Sequence, residues 1–227
     1  SFLLNMLGSC YQKFGHFETA KKNFLQVLSV EPKNLAAMNN LANTYKDMLE
    51  FNKAEEHYKK IIEINPNYIN AITNYANLKF QLDQYDEAIN LYNLALSIDN
   101  KSENIHYNMG LTYQSYGNFI KAEDHFKKML ALNPVATIAD RLISRFTKYD
   151  KENAHLKEMI EREKKADLND ISKINLYFAL GKAYEDIKHF EKSFSFIKKA
   201  NDLTNQKFQY NVKEDNQFTE DLQKLFK

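Results

Sequence analysis

Residues 35–68, LAAMNNLANTYKDMLEFNKAEEHYKKIIEINPNY, and residues 69–102, INAITNYANLKFQLDQYDEAINLYNLALSIDNKS, are two copies of one 34-residue pattern. Small residues recur at its eighth place (Ala42, Ala76) and its twentieth (Ala54, Ala88). Aromatic rings recur at the seventeenth place (Phe51, Tyr85) and the twenty-fourth (Tyr58, Tyr92). Working outward, residues 1–34 put Gly8, Phe17, Ala20 and Phe24 at those places, and residues 103–136 put Gly110, Phe119, Ala122 and Phe126 there. The backbone punctuation keeps the same period. Pro32, Pro66 and Pro134 lie whole periods apart with Asn100 in the missing place, and Gly15 and Gly117 are three periods apart. A pattern of this length, repeated four times, means one supersecondary unit stacked on itself.

Within each repeat the apolar residues step by three and four, the period of an amphipathic helix. Leu7, Leu41, Tyr75 and Met109, with Tyr11, Tyr45 and Tyr113, belong to a first helix, A. The places from seventeen onward belong to a second, B. The small residues mark where A and B cross closely. Gly15 and Gly117 fall in the A–B turn, where a positive φ is easiest for glycine, and the prolines stop helix B. The fold class is therefore all-α, built from antiparallel helix pairs over 1–34, 35–68, 69–102 and 103–136.

Residues 137–170 leave this register. Ile138, Leu142, Ile143 and Phe146 predict another A-like helix, Tyr149 to Asn153 a break, and 153–166 a charged helix with an apolar stripe of Leu156, Met159 and Ile160. Asp167 to Asp170 reads as a loop carrying capping residues. A fifth repeat over 171–203 places Leu180, Gly181, Tyr184, Phe190, Ser193, Ile197 and Ala200 at the expected offsets. Residues 204–217 read as a polar loop, with Thr219 capping a last helix over 219–227.

Composition excludes several functions. The net charge is +1, so no global field draws nucleic acid or an acidic membrane. The only arginines are Arg141, Arg145 and Arg162, which removes the preferred phosphate fork from residues 1–140. No apolar run is long enough to span a bilayer. The six histidines (16, 57, 106, 125, 155 and 189) are dispersed, form no metal motif, and are expected mostly on the surface. Cys10 reads as a small packing residue on helix A, and a lone cysteine fits a reducing, cytoplasmic compartment. There is no phosphate loop and no nucleophile elbow, so no catalytic residue, metal or cofactor is expected. The chain opens without Met, inside a helical pattern and without a signal-peptide layout, which reads as a piece of a larger protein.

The four-repeat pattern resembles the tetratricopeptide repeat family over residues 1–136, with Lys79 in place of the aromatic residue and Asn100 in place of proline. The resemblance implies a right-handed superhelix with helix A lining a concave groove and helix B on the convex back. It implies a partner that is a protein or an extended peptide. In repeats two to four the groove-facing places then include Asn39, Asn40 and Asn43; Asn70, Asn74, Asn77 and Phe80; and Asn104, Tyr107 and Asn108. Asn40, Asn74 and Asn108 share one place in three successive repeats and form a ladder. A carboxamide both donates and accepts, so such a ladder clamps peptide bonds without regard to side chain. This is similar to the asparagine ladder in the repeat domain of O-linked N-acetylglucosamine transferase. The plainer reading is a solvated groove in a chain where Asn numbers 26 of 227. A carboxylate clamp of the chaperone-binding kind is disfavoured, because its cationic places carry Asn39, Asn104 and Asn108.

Residues 141–226 resemble the segment that joins repeats to the catalytic domain in bacterial repeat-containing sulfotransferases. Phe178 to Asp186, Phe190 to Phe194, and Ala200-Asn201 carry that likeness. It implies an accessory domain whose enzyme, using 3′-phosphoadenylyl sulfate, follows Lys227. A third expectation is end-to-end self-association through the uncapped first repeat, where Phe2 and Leu3 lie.

Overall fold

The computed structural model describes residues 1–165 and 167–208. All regular structure among them is helical. Four A–B pairs come first: α1 (Phe2–Lys13) with α2 (Phe17–Val30), α3 (Leu35–Asp47) with α4 (Phe51–Ile64), α5 (Ile69–Gln81) with α6 (Tyr85–Ile98), and α7 (Glu103–Ser115) with α8 (Phe119–Leu132). Then come α9 (Ile138–Ser144), α10 (Ala154–Lys165), α11 (Asp170–Asp186) and α12 (Phe190–Phe208). The chain divides into two compact lobes, Ser1–Lys128 and Met129–Lys227.

In the first lobe each pair is built on one contact. The ring at the twenty-fourth place (Phe24, Tyr58, Tyr92, Phe126) is buried to within 1% of completely, and the small residue at the eighth place lies buried as well. A Cβ on Gly8 would stand 2.6 Å from Phe24 Cε1, and one on Gly110 would collide with the Phe126 ring. Glycine therefore faces phenylalanine in the first and fourth repeats, and alanine faces tyrosine in the second and third.

Every A helix of these pairs ends the same way. The residue after the C-cap takes a positive φ: Gly15 79°, Leu49 62°, Asp83 57° and Gly117 82°. The following N–H reaches back to the eleventh-place carbonyl, as in His16 to Tyr11 at 2.9 Å and Glu50 to Tyr45 at 2.8 Å. This six-to-one bond closes the helix and turns the chain into helix B. The turn is thus present four times, but glycine marks only two of them.

In the second lobe α11 and α12 form a further pair with the same turn at Lys188, φ 59°. Gly181 lies against Ile197, and its carbonyl accepts from Ser193 Oγ at 2.9 Å. Asn169 caps α11 by accepting from the Ser172 N–H at 2.9 Å. Leu156 and Met159 of α10 pack with Leu176, Ala179 and Leu180 of α11, so the stripe read from sequence is the buried face. One expectation changes: residues 204–208 continue α12 rather than forming a loop. The expected loop over 209–217 and the helix at 219–227 capped by Thr219 lie outside the described residues.

Two substitutions test this account by chemical denaturation. Leu49→Gly should stabilise by about 1 kcal/mol, because Leu49 is 69% exposed and loses only strain. Gly110→Ala should destabilise by roughly 1–3 kcal/mol, since the buried Phe126 ring has no space to yield.

Candidate functional site

In the first lobe the A helices touch one another across repeats, and polar side chains join them at separations of 31 and 35 residues. Asn40 Nδ2 donates to Asn5 Oδ1 at 3.2 Å and to Ser9 Oγ at 3.3 Å. Gln12 Nε2 donates to Asp47 Oδ2 at 2.7 Å. Asn74 Nδ2 donates to Asn39 Oδ1 at 3.1 Å. The third ladder member differs: Asn108 Nδ2 meets Asn104 Oδ1 of its own helix at 3.5 Å. Asn70 and Asn104 are exposed, while Phe80, Tyr107 and the three ladder residues are half-buried and Asn39 is buried. Phe80 continues into an aromatic row, 6.0 Å from Tyr85, which is 5.8 Å from Tyr116. Phe80 is at its expected place, and Tyr116 joins it from the A–B turn of the next repeat, a place outside the helix A pattern.

Asn43 and Asn77 do another task. Tyr58 Oη donates to Asn43 Oδ1 at 2.5 Å, and Tyr92 Oη to Asn77 Oδ1 at 2.5 Å. Burial pushes both phenols up, so they stay protonated donors. Ser9 and Leu111 hold the same place where the ring is phenylalanine and has no hydroxyl to satisfy. The signal was in the sequence: asparagine at the ninth place accompanies tyrosine at the twenty-fourth. The Oδ1 acceptors of Asn43 and Asn77 are therefore taken up by the core tyrosines.

Comparisons with known proteins bear on this array. Family models described as "Tetratricopeptide repeat" or "TPR repeat" match residues 3–34, 36–68, 57–90, 76–117, 104–134 and 174–207, well over half of the chain. The chain is a tetratricopeptide repeat protein. No curated protein matches it. Among solved structures, PilF of Pseudomonas aeruginosa is similar at 18% identity and TM-score 0.67, with 96% of each chain covered. A tetratricopeptide repeat protein from Parabacteroides merdae is similar at 22% identity and TM-score 0.58, covering 93% of this chain and 79% of that one. MamA is similar at 22% identity and TM-score 0.53, covering 89% and 97%. These likenesses establish the fold alone.

Lys79 sits where this tetratricopeptide repeat array otherwise has tyrosine. It is 4% exposed, and its ammonium lies 3.1 Å from Glu55, 2.9 Å from Glu87 and 3.0 Å from Gln84 Oε1. Its Nζ also stands 5.3 Å from the centre of the Tyr75 ring, whose hydroxyl donates to Glu55 at 2.8 Å. Burial alone would raise the Glu55 carboxyl, but hydrogen bonds from Lys59, Tyr75 and Lys79 outweigh it and hold the group at about 2. The cluster ties α4 to α5 and α6, so it replaces the ring structurally.

The histidines correct the surface expectation: His106, His125 and His155 are buried. His106 Nδ1 and His125 Nδ1 lie 3.0 Å apart. Burial pushes both below the ordinary imidazole value, His125 to about 4, with the His106 neighbour lowering it further. In the second lobe His155 links Tyr149 Oη at 2.8 Å to Asp140 Oδ1 at 3.0 Å, and Arg162 reaches the same oxygen at 2.7 Å. This is the most enzyme-like grouping among the described residues, yet Tyr149, His155 and Asp140 are each at most 3% exposed. It fastens α9 to α10 and the segment between them. Cys10 is exposed rather than packed. Among the described residues no three metal-ligating side chains cluster, and no helix is long and apolar enough to cross a membrane.

The titrations fix a pH dependence. His125 binds its proton near 6.5 when unfolded and near 4 when folded. Between those values the unfolded chain holds more protons, so stability is complete above 6.5 and declines as pH falls to 4. Glu55 adds a second loss from about 4.5 downward, because its folded value is the lower one. Denaturation midpoints measured from pH 7 to pH 3 should show both. His125→Gln should reduce the first segment, leaving the part due to His106, and leave the second unchanged.

Proposed function

We propose that this tetratricopeptide repeat scaffold binds an extended polypeptide along the face formed by α1, α3, α5 and α7. The observation that carries the reading is chemical: on α5 and α7 the accessible part of that face is rich in carboxamides and rings. Asn70, Asn104 and Asn108 offer paired donors and acceptors matched to peptide groups. Phe80, Tyr107 and Tyr116 offer apolar contact. Recognition of this kind needs no charged terminus, and its affinity should vary little with salt.

The test is a library of random dodecapeptides displayed against the 227-residue chain, followed by anisotropy with the best labelled binder. Asn104→Ala with Asn108→Ala should weaken binding by about ten-fold or more, the value of roughly 1.4 kcal/mol. A binder that tolerates both changes, or that is lost on raising the salt, would sink the amide reading. An accessory role beside a sulfotransferase rests on Phe178 to Asp186 and Phe190 to Phe194. Of those residues Gly181, against Ile197, and Tyr184, stacked 5.6 Å from Phe196, serve the close pairing of α11 with α12, a demand any helix pair of this family makes.

A second reading, end-to-end self-association, is favoured by α1. Leu3 and Leu7 are 78% and 45% exposed, whereas their counterparts Ala37 and Leu41 on α3 are fully buried. Leu41 is covered by Ala20 and Phe24 of α2, and α1 has no such neighbour among the described residues. Light scattering over a concentration series should show mass rising with concentration, and Leu7→Glu should abolish the rise. A constant monomer mass in the unaltered chain would dismiss this reading.

A further inference from the structure

The ladder is not uniform. Its first two rungs are closed between neighbouring A helices, from Asn40 to Asn5 and from Asn74 to Asn39. The next pair at the same separation of 35 residues is Asn108 and Thr73. Thr73 stands on α5 at the place Asn39 holds on α3, and its side-chain oxygen is one bond nearer the backbone than an asparagine's. It is 6% exposed, and its Oγ1 makes no hydrogen bond. Thr44 and Thr112, by contrast, each donate to the carbonyl four residues back at 2.8 Å. Asn108 meanwhile has its donor on the exposed Asn104 at 3.5 Å, the weak limit of a hydrogen bond. A buried hydroxyl without a partner is a standing cost, so this spot stabilises whatever supplies one.

We infer that the Asn108–Thr73 step is where a bound polypeptide's main chain is gripped, with ligand binding closing the third rung. This rests on the peptide-binding reading above. A main-chain carbonyl of the ligand accepts from Asn108 Nδ2, drawing it off Asn104, while Asn108 Oδ1 turns inward and accepts from the Thr73 hydroxyl. Asn108 has the donors and lone pairs for both bonds at once. The ligand also covers Asn108 from water, which favours the inward turn. Thr73 is sealed from solvent and acts through Asn108, as a positioning residue. Asn40 and Asn74 already spend a donor on the neighbouring helix, so the first two rungs hold the helices together and the third holds the ligand. The absence of charge at the step fits a peptide group rather than a phosphate or carboxylate.

The selected dodecapeptide serves as probe on the full chain. Thr73→Val should lower affinity about five-fold and leave the denaturation midpoint of the free protein unchanged or higher, since it deletes an unpaired hydroxyl. Thr73→Ser should restore most of the affinity. Asn5→Ala, which opens the first rung, should lower the midpoint and leave affinity within about two-fold. In the free protein, Asn39→Ala and Asn74→Ala should be non-additive in stability, and Thr73→Val with Asn108→Ala additive. The inference is overturned if Thr73→Val binds like the unaltered chain, if Asn5→Ala weakens binding as much as Asn108→Ala, or if Thr73 and Asn108 are already coupled without peptide. If no library peptide binds the unaltered chain, the binding reading itself fails and takes this inference with it.

Discussion

One packing contact underlies the first lobe: the ring at the twenty-fourth place of each repeat pressed onto the small residue at the eighth. Phe24, Tyr58, Tyr92 and Phe126 are the largest fully buried side chains of their helix pairs. A well-packed ring of this size carries a large share of the burial energy available to a short two-helix unit. Helix A must come close enough to cover it, and only glycine or alanine permits that approach. The left-handed turn after helix A and its six-to-one hydrogen bond keep the pair in the register that the contact needs. Everything on the outer face of helix A is then set in place by a contact on its inner side.

The same contact decides which asparagines are available. Where the ring is a tyrosine its hydroxyl is carried into the core and must find an acceptor. Asn43 and Asn77 provide it, which commits their acceptor oxygens to the core. Asn40 and Asn74 look outward but are engaged by the preceding A helix. The asparagines that remain are Asn70, Asn104 and Asn108, all on α5 and α7. The candidate site thus narrows from a ladder running the length of the face to its α5–α7 end.

Polar burial elsewhere follows similar logic. Lys79 occupies the place of a ring and is tolerated because Glu55, Glu87 and Gln84 surround its ammonium. In the second lobe Asp140 is fully buried between His155 and Arg162. Such a group is costly to leave unpaired, so the pairing commits α9 and α10 to one arrangement. These clusters resemble sites by their chemistry and act as fasteners by their burial.

By itself the sequence determined the all-helical class, the five helix pairs and the residues at each crossing. Those features come from local periodicity and from small residues opposite large ones, which one period makes visible. The turn was half legible: glycine showed it at Gly15 and Gly117, but Leu49, Asp83 and Lys188 adopt the same backbone because the helix end demands it. Only the tertiary structure decided the fate of the polar residues. His106 and His125 sit nineteen residues apart in the chain yet meet in the core, and no spacing rule announces such a meeting. The asparagines were all visible as asparagines. Which of them bond a tyrosine, which bond the next helix and which remain to bond a ligand depends on distances across repeats, and those exist only once the helices have packed.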